Sequence, residues 1–130
     1  MLAGCKLVDQ RTFQPAARAP SASTLARAAQ AARPVLVVAM TMQASDWRAA
    51  VNSAVSRAEA HDPKASFAVN APIPVNASAA EQDRFAATGA SDAALVARQI
   101  QENGVPVDRI AIGYESDAGT PPREIRLYVR

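Results

Sequence analysis

The stretch from Ser91 to Arg130 constrains the fold most, because it reads as helix, cap, strand, turn and strand with little ambiguity. Leu95, Val96 and Ile100 recur at helical spacing and predict one apolar helix face. Asn103-Gly104 then predicts a stop, since glycine alone enters the left-handed C′ position without a Cβ penalty. Ile110, Ile112 and Tyr114 alternate with smaller or polar residues and predict a strand. Ser116 to Pro122 is rich in chain breakers and predicts a turn. Ile125, Leu127 and Val129 alternate again, with Glu124, Arg126, Tyr128 and Arg130 on the other face. The three apolar residues are expected to face helices, and Arg126, Tyr128 and Arg130 form a candidate docking face.

Upstream, Val35 to Met40 is a continuous apolar run of strand length and predicts a central strand buried on both faces. Ser45 reads as a helix cap, with Asp46 favourable in the first turn. Trp47, Ala50, Val51, Ala54, Val55 and Ala58 carry the helical face to His61, where Asp62-Pro63 ends it. Trp47 is expected to anchor the core. Phe67, Val69, Ala71, Ile73 and Val75 alternate as a strand. Pro72 and Pro74 cannot donate to a ladder, so that strand is expected at an edge or irregular after Asn70. Ser78-Ala79-Ala80-Glu81 matches a capping box and starts a helix anchored by Phe85. Thr88-Gly89-Ala90 is expected to break it, with a new helix from Ser91 or Asp92. The order β-α-β-α-β-β, with the second helix broken, predicts an α/β two-layer sandwich whose helices cover one sheet face.

The first part of the chain differs in character. Residues 1–33 hold Pro15 and Pro20, many alanines and serines, and only Leu25 as a large apolar residue of one short candidate helix, Ser23 to Arg33. They read as a flexible tether, with the α/β domain spanning residues 34–130. Lys6, Arg11, Arg18, Arg27 and Arg33 stand against Asp9, so the arm is basic while the remainder is slightly acidic. Such an arm suits an anionic surface. Met1-Leu2-Ala3-Gly4-Cys5 resembles a bacterial lipoprotein processing box, in which small residues admit the peptidase and the cysteine thiol is acylated. Cys5 is therefore the candidate lipidation site. The charged and apolar parts of a signal peptide do not precede it, so the numbering is expected to begin inside the signal, or the gene start to lie upstream. Lys6 after the cysteine carries no acidic inner-membrane retention signal, which implies outer-membrane placement on the periplasmic side.

Catalytic chemistry finds little support in the residues. A single cysteine excludes an internal disulfide, and a single histidine, His61, excludes a histidine cluster for metal within one chain. No carboxylate pair is placed for acid/base work, Asp108 reading as a turn residue, and Gly104 and Gly113 form no phosphate-cradling run. The basic residues are not interleaved with aromatics, which argues against nucleic acid. The expectation is a protein without enzymatic activity, cofactor or metal.

Gly104-Val105-Pro106-Val107-Asp108-Arg109-Ile110, Gly113-Tyr114-Glu115-Ser116 and Arg123-Glu124-Ile125 resemble the matching segments of the OmpA-like domain of envelope proteins and peptidoglycan-associated lipoproteins. The likeness covers about forty residues well and the rest by topology. Envelope lipoproteins of the tight-adherence pilus machine, the CpaD group, are similar more loosely. The resemblance implies a cell-envelope scaffold or assembly component of a pilus or secretion machine, lipid-anchored and docking onto envelope proteins or further copies of itself. It also implies, as the alternative, a module tethering the outer membrane to peptidoglycan. The OmpA-like family grips a diaminopimelate carboxylate with an aspartate and a helix arginine. Here the family's helix-start arginines fall near Ser91 and Asp92, neither of them basic, and Arg98 lies nearly two turns later. Asp83, Arg84, Asp92 and Arg98 are the residues left as glycan-binding candidates, without the guanidinium fork at the family position.

Overall fold

A computed structural model describes residues 33–130, and Pro34–Arg130 forms one compact unit. Its elements run β1 (Leu36–Ala39), α1 (Ala44–His61), β2 (Phe67–Pro74), α2 (Ala79–Glu102), a 3-10 turn (Val107–Arg109), β3 (Ile110–Asp117) and β4 (Glu124–Val129). The strands form a 4-stranded sheet in the order β1-β4-β2-β3. β2 and β3 are parallel, while β4 is antiparallel to both β1 and β2. Both helices pack on one face of this sheet, giving the expected β-α-β-α-β-β sandwich.

The core follows from the apolar periodicities. Trp47, Val51 and Val55 of α1 and Ala93, Val96 and Ile100 of α2 are buried against Val38, Phe67, Val69, Ala71, Ile125 and Leu127 of the sheet. Val129 packs at the rim of this cluster. Between the helices, Asn52 Oδ1 accepts from Gln99 Nε2 at 2.8 Å and from Asn103 Nδ2 at 2.6 Å. The capping signals of α2 hold at both ends. Ser78 Oγ accepts from the Glu81 N–H at 3.2 Å, and Gly104 takes φ +95° after the Asn103 cap.

The fold departs from the sequence expectations at four places. First, β1 is an edge strand among the described residues, with Val37 and the preceding Val35 about half exposed; there only β4 pairs with it, and the helices cover its Leu36 and Val38 face alone. Second, α1 begins at Ala44 behind Gln43, which makes no side-chain cap bond, so Ser45 lies inside the first turn.

Third, β2 stays regular through both prolines and sits inside the sheet. The Val75 N–H donates to the Asp117 carbonyl, so the odd-numbered amides of β2 point at β3 and the even-numbered ones point the other way. The β4 ladder on that other side ends at Asn70↔Arg126. Pro72 and Pro74 therefore lack a donor only where no acceptor waits.

Fourth, α2 runs unbroken through Gly89. Gly89 is buried, and a Cβ built there would lie 2.5 Å from the Ala71 Cβ. It is a contact residue that lets the helix approach β2, and not a breaker.

Candidate functional site

Beyond the end of the β2–β4 ladder at Asn70, a cleft of about 280 Å³ lies at the N-terminal half of α2. Ala71 and Pro72 floor it, Phe85 and Gly89 form one wall, and Pro122 and Arg123 close the other. The cleft holds a charge pair whose carboxylate is buried. Asp92 is 2% exposed on the apolar stripe of α2, where an unpaired carboxylate would cost several kcal/mol. Arg123, at the entrance to β4, closes a two-pronged fork on it. Its Nε donates to Oδ2 and its Nη2 to Oδ1, each at 2.8 Å. This pairing holds the Arg123 guanidinium above its ordinary pKa, the direct bond to Asp92 contributing most.

Arg123 is the site residue that the sequence reading missed. Its signal was present in Asp92, a carboxylate in register with Phe85, Gly89, Val96 and Ile100 on a helix stripe, which demands a cation from another element. Arg84 lies at the mouth of the cleft and pairs with Glu81 one turn earlier. Asp83 and Arg98 do not line the cleft, and both are exposed. Of the four glycan candidates, the fold thus brings Arg84 and Asp92 together with Arg123, and leaves Asp83 and Arg98 outside.

Among the described residues, no helix covers the opposite face of the sheet. There Arg126 of β4 is surrounded by carboxylates. Its Nη1 donates to Glu115 at 2.6 Å, its Nη2 to Asp117 at 2.6 Å and its Nε to Glu124 at 2.9 Å. Burial works against the Arg126 cation, but these bonds outweigh it and hold the group above its ordinary pKa. Arg126 in turn holds Asp117 below the usual carboxylate range, helped by the Gly119 N–H. The Tyr128 hydroxyl donates to Glu115 at 2.6 Å, and burial followed by that bond pushes the phenol up to about 12. Asn70 Nδ2 completes the set by donating to Glu115 at 3.4 Å. The candidate docking residues Arg126 and Tyr128 are therefore engaged within the sheet, while Arg130 is exposed and its backbone pairs with Ser66.

Other features bound the chemistry. Among the described residues no group of three or more His, Cys, Asp or Glu side chains is placed to hold a metal ion. Among them, too, no helix is long and apolar enough to cross a membrane. Cys5 and the basic arm up to residue 32 lie outside the described residues. A comparison with protein-family models gives no match, and neither does a comparison with curated proteins.

Proposed function

We propose that the chain is a non-enzymatic cell-envelope lipoprotein, anchored through Cys5 on the periplasmic side of the outer membrane, whose α/β domain docks onto other envelope proteins as a scaffold or assembly component of a pilus or secretion machine. The observation that carries the docking reading is how the domain's charges are paired off. Asp92 and Arg123 satisfy each other, and Arg126 satisfies Glu115, Asp117 and Glu124. In the cleft at α2, the carboxylates of Glu81, Asp92 and Glu124 are each bonded to an arginine, and none is left free for acid/base work there. The lipoprotein-like start and the OmpA-like segment from Gly104 to Ile110 support the envelope setting.

A peptidoglycan-binding module is the second reading, favoured by the cleft itself. It holds Arg84 and the half-exposed Arg123 beside an apolar floor. Against it, the fork of Arg123 that would grip a ligand carboxylate is closed on Asp92.

One paired experiment separates the two. The full chain is cross-linked briefly in its native host and extracted with detergent, and the purified chain is separately incubated with sacculi. Docking predicts discrete adducts with envelope proteins and no retention on sacculi. Saturable sacculus binding competed by free diaminopimelate, without protein adducts, would overturn it.

A further inference from the structure

The outer edge of β3 is built to receive a strand, and its sequence fits a second copy of itself. β3 has an edge position in the sheet, with β2 as its neighbour on one side. The Asp117 carbonyl accepts from Val75 of β2, so the odd-numbered residues of β3 turn their backbone groups toward β2 and the even-numbered ones turn theirs outward. The Ile110 N–H is taken by the Val107 carbonyl. The outward N–H and C=O groups of Ile112, Tyr114 and Ser116 have no backbone partner among the described residues. Natural edges of this kind are usually blunted by proline, lysine, a bulge or a covering element. Ile110 to Asp117 contains neither proline nor lysine, its two charges, Glu115 and Asp117, are held by Arg126 across the sheet, and it pairs with β2 residue for residue along its length. Instead it shows apolar surface, Ile112 and Tyr114 each being 55% exposed.

We infer that two copies of the chain associate through β3, antiparallel about a two-fold axis at Gly113, joining their sheets into one. Three observations choose this occupant and this register. The outward backbone groups belong to even-numbered residues, so even must face even across the junction, which puts the axis on a residue and not between two; at the middle of the strand that residue is Ile112, Gly113 or Tyr114. With the axis at Gly113, Ile112 of each copy faces Tyr114 of the other, and an aliphatic–aromatic cross-strand pair is a favourable one. The same register sets Arg109 against Asp117 and Glu115 against Ala111, so no like charges are opposed anywhere along the strand. An axis at Tyr114 would instead stack two tyrosines and move Asp117 away from Arg109. At Gly113 itself, the absence of side chains leaves the axis free of crowding. The interface is isologous and closes as a dimer. It stands independently of whether the envelope reading holds.

The test uses the full-length chain with Cys5→Ser, so that any cross-link reports an introduced thiol. Sedimentation is expected to show a dimer, and Ile112→Lys is expected to give a monomer with an unchanged circular dichroism spectrum. Register is read by cysteine placement. Gly113→Cys brings two thiols to opposed positions with Cα atoms about 4.5 Å apart, within disulfide reach. Its new Cβ meets only the Asn70 Oδ1 at 3.3 Å, a side chain that can turn aside. Ala111→Cys places the two thiols four residues apart along the junction, about 13 Å, out of reach. Oxidation is expected to link the Gly113→Cys protein and not the Ala111→Cys protein. A monomer at every concentration, a dimer indifferent to Ile112→Lys, or equal linking of the two cysteine variants would each overturn the inference. Adducts with another envelope protein through β3, with no dimer, would assign the edge to a foreign strand and overturn it as well.

Discussion

At the scale of single residues, the two arginine sites behave differently because their carboxylate partners are buried differently. Asp92 is enclosed while the side chain of Arg123 is 53% exposed. Losing Arg123 strands a buried carboxylate, whereas neutralising Asp92 leaves a guanidinium that water can reach. Arg123→Ala is therefore expected to cost about 3–5 kcal/mol and Asp92→Asn about 1–2 kcal/mol, read by denaturant unfolding at neutral pH. Equal losses would mean that the pair is not asymmetric. On the other face, burial and the bond to Glu115 put the Tyr128 phenol at about 12, against about 10 for a free tyrosine. A raised folded pKa favours the protonated fold. The stabilisation is complete below about pH 10 and is lost as the pH rises through the folded value. A spectroscopic titration is expected to find a tyrosine ionising near pH 12 that disappears in Tyr128→Phe. Ionisation of Tyr128 at the free-tyrosine value would contradict the buried bond to Glu115.

At the scale of elements, what the sequence made legible was local and what it concealed was neighbourhood. The stop at Asn103-Gly104, the cap at Ser78 and the alternation of Ile125, Leu127 and Val129 each need only a few adjacent residues, and the fold keeps them all. The run from Val35 to Met40 says "strand" but not which strands flank it, and here it lies at the sheet edge with one neighbour. Gly89 carries the same ambiguity. A glycine in a helical pattern is either a break or a close contact, and only the position of Ala71 decides. Alanine favours a helix over glycine by about 1 kcal/mol. If Gly89 were a tolerated defect, Gly89→Ala would stabilise the domain. With Ala71 in the way, it is expected to push α2 off β2 and destabilise by about 1–3 kcal/mol, measurable as a lower melting temperature. The Asp92–Arg123 pair was concealed for a related reason. Its members lie on different elements, and nothing in the residues around Arg123 distinguishes it from Arg126 or Arg130.

At the scale of the whole molecule, the described domain has one sheet face covered by helices, the other occupied by an arginine–carboxylate network, and an unprotected edge at β3. The proposed envelope role rests on residues 1–33, and above all on Cys5. The most direct measurement is the intact mass of the chain extracted from the membranes of its native host, compared with Cys5→Ser after fractionation. The account predicts a mass raised by acyl groups on Cys5, with the wild-type chain in the outer-membrane fraction and Cys5→Ser in the soluble fraction. An unmodified Cys5, with wild type and Cys5→Ser fractionating alike, would contradict it.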